Sequence, residues 1–414
     1  MGPKTLSDIP VKEVDLDKRI QLTVAAVYFM AFMGIAMPYP VITPLFMSGA
    51  IETPFTREAA LGIALAVYPI GLFFGGGTLG SFSDKYGRRP VLLFSLVLTA
   101  FCMLWSAYAI REEDFWQFVI SRAVTGYFEA NSSIARAMLT DITKGESKAS
   151  SFAVLGVAGY SGYLIGPIIS GYLAVWSNAL PFYVAGGLGF ITLAMAALWL
   201  PETNQRVKDK GAYQKRPGIL KMLKTHRMFR MVLLAHFLMT VGINTFYQFY
   251  PLFLVNRWGA DSAEIATTNM FFTGSMILFA LFGVKWVERI MTLGHNLLFG
   301  GIGVVSLMLL ILLSPTNEVG LLISVVLGFA VAIVNASIPA FMSRETIATL
   351  EQGAVMGSIT SSFCLSQAVI SMVGSNVAVY GIEYTFMLGS FAAFLGVLQI
   401  QYIRKRHSRP ASAE

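Results

Sequence analysis

The chain has 414 residues, 55% of them hydrophobic and only 13% charged, with a mean hydropathy of +0.65. A water-soluble protein carries roughly 25% charged residues, so this composition excludes an ordinary soluble domain and makes lipid the natural solvent. The net charge of +7 would suggest nucleic acid only if the basic residues gathered on one folded surface, and their distribution argues otherwise.

About 20 apolar residues cross a bilayer as a helix. Twelve runs meet that length: 20–46, 59–82, 90–110, 115–140, 150–175, 178–200, 229–255, 262–285, 295–313, 319–342, 352–378 and 383–403. An even number places both termini on one side. With the N-terminus in the cytoplasm, 25 of the 30 Lys and Arg are cytoplasmic, counting Arg230 and Lys285 at the cytoplasmic ends of their spans; three (Arg57, Arg111, Arg257) lie outside, and Arg122 and Arg136 fall deeper within a span. Basic residues stay inside, so the charge excess is a topology signal. The first 19 residues are polar, and the run that follows is too long for a signal-peptide core. Cys102 and Cys364 sit in apolar runs and read as small core residues, with no metal or disulfide spacing. Span one, from Phe29 to Pro38, has no acidic residue.

Between spans two and three stands G-S-F-S-D-K-Y-G-R-R, Gly80 to Arg89. It resembles the signature loop of the major facilitator superfamily, G-x-x-x-D-(R/K)-x-G-R-(R/K), with Gly80, Asp84, Lys85, Gly87, Arg88 and Arg89 filling every defined place. The resemblance implies an all-α membrane protein of twelve transmembrane helices in two pseudo-symmetric six-helix bundles. It implies a gating latch in which Asp84 meets the start of span eleven near Gly353. The arginines then pair with Asp141, at the end of span four, and Glu202, at the end of span six. The bland reading is that a basic loop simply stays inside.

Span four holds Arg122, Glu129 and Arg136, seven residues apart. Seven residues are nearly two turns and rise about 10 Å, so one continuous helix puts all three on one face, with Gly126 and Ser133. A charge at the bilayer centre costs roughly 2.5–3.5 kcal/mol on insertion scales, so the stripe must face a wet cavity or charged partners. The run from Arg122 to Thr143, with Gly126 and the closing D-I-T, is similar to the fourth span of the tetracycline-exporter branch. There the arginine matching Arg122 is linked to proton transfer. Glu129 and Arg136 depart from that pattern. Burial and Arg122 act on the Glu129 carboxyl in opposite senses. Glu129 is therefore either a switchable proton site or a static ion-network partner of the arginines.

Span five contains Gly156, Gly159, Gly162, Gly166, Pro167 and Gly171. Glycines four apart allow close helix approach. Gly162 to Gly171, G-Y-L-I-G-P-I-I-S-G, resembles the antiporter signature G-x-x-x-G-P-x-x-G-G, with Ser170 in place of one glycine. The resemblance implies an exporter. The linker 201–228 is polar and basic, and Ile219 to Lys224 has the pattern of a short helix lying on the membrane surface. Span seven aligns His236, Thr240, Asn244, Tyr247 and Gln248 as one polar stripe; His236 is either a proton-coupling residue, with Arg122, Glu129 and Arg136, or a hydrogen-bonded structural histidine. Span ten adds Asn335 and span eleven Gln367. With Asn131 and Ser133, these are candidates for the substrate cavity.

A shift of 204 residues lays Asn131-Ser132-Ser133-Ile134, Met138 and Asp141 on Asn335-Ala336-Ser337-Ile338, Met342 and Glu345. The same shift lays Asp84-Lys85 on Glu288-Arg289. One offset serving two places indicates a duplicated six-span unit, with a site between the halves. The expected organisation is a cytoplasmic segment 1–19, a bundle 20–200, a linker 201–228, a bundle 229–403 and a basic tail 404–414. No nucleotide or metal motif is present, so no cofactor or enzyme activity is expected, and an ion gradient supplies the energy. The expectation is a monomeric, proton-coupled exporter in a bacterial inner membrane. Two arginines against one glutamate favour an anionic or zwitterionic substrate, such as a metabolite, siderophore or drug. The alternatives are a proton-coupled importer and a non-transporting membrane sensor.

Overall fold

The computed structural model describes residues 11–142, 147–204, 219–346 and 352–407. These residues form helices and connecting turns, with no strand among them. The first expected span is two helices, α1 (Val11–Ala36) and α2 (Tyr39–Ser48), separated at Met37–Pro38. Pro38 and Pro40 lack the amide hydrogens that a continuous helix would use there. Next come α3 (Arg57–Tyr86), α4 (Arg88–Arg111), α5 (Phe115–Glu129), α6 (Ser132–Ile142), α7 (Ser147–Ala174) and α8 (Leu180–Trp199). After the linker stand α9 (Ile219–Thr225), α10 (Arg227–Trp258) and α11 (Ser262–Leu278). A π-type turn over Phe279–Gly283 leads into α12 (Val284–Ile290). The chain closes with α13 (Leu293–Ile311), α14 (Asn317–Thr346), α15 (Gln352–Ala378) and α16 (Ile382–His407).

Ten stretches among the described residues are long and apolar enough to cross a membrane. The two expected spans outside that set have physical reasons to be there. Span four is broken into α5 and α6, each too short alone. Span eleven, α15, is 27 residues long but diluted by Ser362, Ser366, Gln367, Ser371 and Ser375. Large apolar side chains lie on the outside, among them Trp176, Leu198, Phe282 and Leu313. Contiguous exposure of this kind suits lipid and not water.

The helices sort into two bundles. In the first, α1 packs on α7, α3 on α5, and α4 on α5 and α8. In the second, α10 packs on α15 and α16, α11 on α14, and α13 on α14 and α16. The helix ends keep the sequence offset. Tyr86, the last residue of α3, stands 204 residues before Ile290, the last of α12. Ile142, the last of α6, stands 204 before Thr346, the last of α14.

The bundles meet along α3–α15, α7–α11 and α2–α10. Small residues mark where the contact is close. A Cβ on Gly62, near the start of α3, would collide with Ser371 and Ser375 of α15. One on Gly171 of α7 would collide with Ala266 and the Ser262 carbonyl of α11. Gly80 lies 18 residues after Gly62, five whole turns, so it shares that face of α3. Yet a Cβ on Gly80 would meet nothing within 4 Å, and the same holds for Gly76, for Gly156 of α7 and for Gly357 of α15. The bundles are therefore pressed together at the outer ends and splayed at the ends near the termini. The conformation is open to the cytoplasm.

Candidate functional site

The break in span four falls directly after Glu129. Asn131 N–H bonds the Phe128 carbonyl at 3.3 Å and Ser133 N–H bonds the Ala130 carbonyl at 3.1 Å, a tightened turn in place of α-helical bonds. Asn and Ser compete locally for backbone groups, which suits a break at Ala130-Asn131-Ser132-Ser133. The expected single charged stripe is thereby divided. Arg122 lies in the middle of α5 and Glu129 ends it, while Arg136 belongs to α6.

Glu129 is 3% exposed. Its Oε2 accepts a hydrogen bond from the Tyr68 hydroxyl of α3 at 2.7 Å. Its Oε1 lies so close to Gly34 of α1 that any Cβ there would collide with it. Arg122 is 2% exposed. Its guanidinium sits 4.5 Å over the Tyr68 ring and 5.8 Å from that of Phe182, and Nη1 reaches the Met103 sulfur at 3.8 Å. Among the described residues no ion pair joins Glu129 to Arg122 or Arg136. The static ion network weighed from the sequence is thus absent there; Tyr68 connects the two charges instead. Both groups are buried, at 3% and 2% exposure. Arg122 is held by aromatic faces, and cation–π contacts strengthen when desolvated.

Arg136 donates to the Tyr28 hydroxyl of α1 at 2.6 Å and is half-buried. Ser133 of α6 and Asn335 of α14 are exposed in mid-span, as polar groups facing an aqueous opening would be. Asn131, four residues before Ala135, is buried.

The stripe on α10 goes elsewhere. His236 Nδ1 is 2.9 Å from the Ser362 hydroxyl, Asn244 donates to Ser366 at 3.0 Å, and Gln248 donates to the Gln367 carbonyl at 3.2 Å and accepts from Ser371. Thr240 bonds its own helix at the His236 carbonyl. These side chains form a polar seam that joins α10 to α15 within one bundle. Gln367 then crosses to the first bundle, donating to the Tyr39 hydroxyl of α2 at 2.5 Å. Tyr247 stands off the seam, its ring 6.0 Å from that of Tyr163 on α7.

The loop between α3 and α4 is a closed polar network. Arg88 meets Asp84 at 2.5 Å and Asp141 at 3.2 Å, and Thr203 donates to Asp141 at 3.1 Å. Glu202 does not pair with a guanidinium, as the sequence had suggested. It accepts from the backbone N–H groups of Arg88 and Arg89, at 2.9 and 3.1 Å, where the dipole of α4 favours an anion. Gly87 holds φ +108° with Glu202 against it, so a side chain there would be both strained and blocked. Asn204 donates to the Asp84 carbonyl at 3.1 Å. Asp84 thus pairs with Arg88. The side chains from Gln352 to Ala354, around the expected partner Gly353, lie outside the described residues.

On α7, a Cβ on Gly162 would collide with the Phe29 carbonyl of α1, and one on Gly166 would press on Met33 at 3.0 Å. This motif seats α7 on α1, and Gly171 seats its outer end on α11. Sequence reasoning missed Tyr28 and Tyr39, whose hydroxyls accept from Arg136 and Gln367, and Tyr68, whose hydroxyl donates to Glu129. A lone tyrosine in an apolar run has no local signal; its partner lies 61 residues away for Tyr68.

The profile of the Major Facilitator Superfamily matches residues 24–371. The tetracycline resistance protein, class B, of Escherichia coli is 29% identical over 171 residues, 41% of each chain. The alignment therefore spans about two-fifths of that relative. Quinolone resistance protein NorA of Staphylococcus aureus (strain COL) is 24% identical over 340 residues, 81% of this chain and 83% of its own. Among solved structures, the D-xylose-proton symporter superposes with a TM-score of 0.74 at 17% identity, covering 93% of this chain and 96% of the symporter. The human organic anion transporter MFSD10 (TETRAN) superposes with a TM-score of 0.67 at 19% identity, covering 93% and 99%.

Proposed function

The chain belongs to the major facilitator superfamily, a multi-pass membrane transporter and not an enzyme, and from that premise we propose that it is a proton-coupled exporter of a small organic anion or zwitterion. The observation that carries the reading is Glu129. It is a buried carboxylate with a tyrosine hydroxyl for a partner and no ion pair among the described residues. A carboxylate locked to a guanidinium is held in one charge state; one bonded to a neutral hydroxyl in an apolar bundle can take up or release a proton. Arg122, across the Tyr68 ring, senses which state it is in.

Export is supported by the glycine pattern of α7 and by relatives whose names concern resistance to tetracyclines and quinolones. For substrate charge, Arg136 on α6 now bears the argument, since Arg122 is enclosed by aromatic rings. A carboxylate-bearing metabolite, siderophore or drug fits that sign. Asn335 and Ser133 line the opening, and the α10–α15 seam holds its wall. Transport proceeds by alternation between the cytoplasm-open form and one in which the α3–α15 contact closes inside. No further protein subunit is required, and the membrane is the bacterial inner membrane.

The test compares extracellular metabolites of cells making the wild type with those making Glu129→Gln at equal expression. A compound accumulating outside only with the wild type is the expected result and names the substrate. Depletion of a compound from the medium only with the wild type reverses the direction and makes this an importer.

A further inference from the structure

Glu129 lines a cavity of about 20 Å³ bounded by α1, α4, α8 and the break in span four. Two polar atoms in its wall have no hydrogen-bond partner: Oδ1 of Asn131 and Oγ1 of Thr99. The Thr99 hydroxyl is conspicuous because a helical threonine normally bonds the carbonyl four residues back. Thr125, Thr192 and Thr245 all do so, at 2.7, 3.0 and 2.8 Å. Thr99 does not. Asn131 owes its place to the break, and it is 2% exposed.

We propose that this cavity is a single-water site that serves Glu129 as its proton partner, held by Thr99 and Asn131. The volume admits about one water, and the wall supplies the two to four polar contacts such a water needs. The hydrogen bonds balance in both states. With Glu129 ionised, the water donates to its carboxylate and to Asn131 Oδ1, and accepts from the Thr99 hydroxyl. With Glu129 protonated, the carboxyl O–H donates to the water. The water then donates to Asn131 and Thr99, whose hydroxyl rotates. No heavy atom need move.

Of the groups facing Glu129, α3 contributes Tyr68 and α5 contributes Arg122, and neither is among the residues that line the cavity. The lining residues of α1, α4 and α8 include none that titrates. Every lining residue belongs to the first bundle, so the water lies within that bundle. Thr99 and Asn131 are positioning residues in this scheme.

The inference rests on Glu129 being the coupling site, but its test does not require transport. Purified protein in nanodiscs is examined by infrared difference spectroscopy across a pH step, with protons the only probe. A carboxyl band absent from Glu129→Gln is expected, together with a water O–H band that shifts in ¹⁸O-labelled water. Thr99→Val and Asn131→Leu should abolish the water band and move the carboxyl band to higher frequency, whereas Thr99→Ser should preserve both. If Asn131→Leu does not fold, Thr99→Val decides alone. The site is overturned if the wild type shows no ¹⁸O-sensitive band tied to the Glu129 band, or if Thr99→Val leaves both bands unchanged. Failure of proton coupling reads differently: Glu129→Gln would then keep the pH dependence of transport while the water band remains.

Discussion

Tyr68 makes two interactions at once. Its hydroxyl binds Glu129 and its ring supports Arg122. Tyr68→Phe keeps the ring and removes only the hydroxyl. A hydrogen bond to a charged group is worth about 1.5–3 kcal/mol, equivalent to roughly one to two pH units. We predict that Tyr68→Phe folds and inserts normally but displaces the pH profile of transport by that amount; an unchanged profile would remove Tyr68 from the coupling. Gly34→Ala places a methyl against the Glu129 carboxylate. It is expected to lose transport at normal membrane abundance, measured by uptake into everted vesicles, and activity near wild type would show that α1 has room to move aside.

At the scale of elements, the α3–α4 loop is built as a network on the splayed side of the molecule. Asp84 is engaged by Arg88 in this conformation. Asp84→Asn leaves Asp141 and Glu202 in place. The variant is expected to reach the membrane and fail in transport, and preserved transport would reduce the loop to a topology signal. On the outer side, Asp114 caps α5, accepting from the backbone and side chain of Gln117. These bonds hold its carboxyl below the usual range. A lowered folded-state value contributes stability above the unfolded value and loses it as pH falls through the folded one. Fraying of the α5 start is therefore expected only in acid, read as faster amide exchange there. Asp114→Asn should flatten that pH dependence.

For the whole molecule, close contact at Gly62 and Gly171 against open space at Gly80 and Gly357 defines one of two states. Spin labels at Lys85 and Gly357 report the cytoplasmic gap, and labels at Glu52 and Tyr380 report the outer one. The native thiols Cys102 and Cys364 are replaced first. Lowering the pH is expected to shorten the first distance and lengthen the second. Both distances changing in the same sense, or neither changing, would contradict rocking of two rigid bundles.

The sequence by itself determined the helical class, the membrane setting, the orientation and the duplicated unit. Each rests on composition, run length, charge asymmetry or a linear offset, all of which are properties of neighbours in the chain. It also placed Arg88 with Asp141, because a dense motif constrains its partners. Only the tertiary structure decided where the charges of span four point. A heptad spacing predicts one face only while the helix is unbroken, and the turn at Ala130–Asn131 ends it. Only the fold could bring Tyr68 to Glu129, set Thr99 and Asn131 around one cavity, or turn the α10 stripe into a seam with the serines of α15. These pairings join residues 32 to 126 positions apart, and in apolar helices nothing local records which face a partner will occupy.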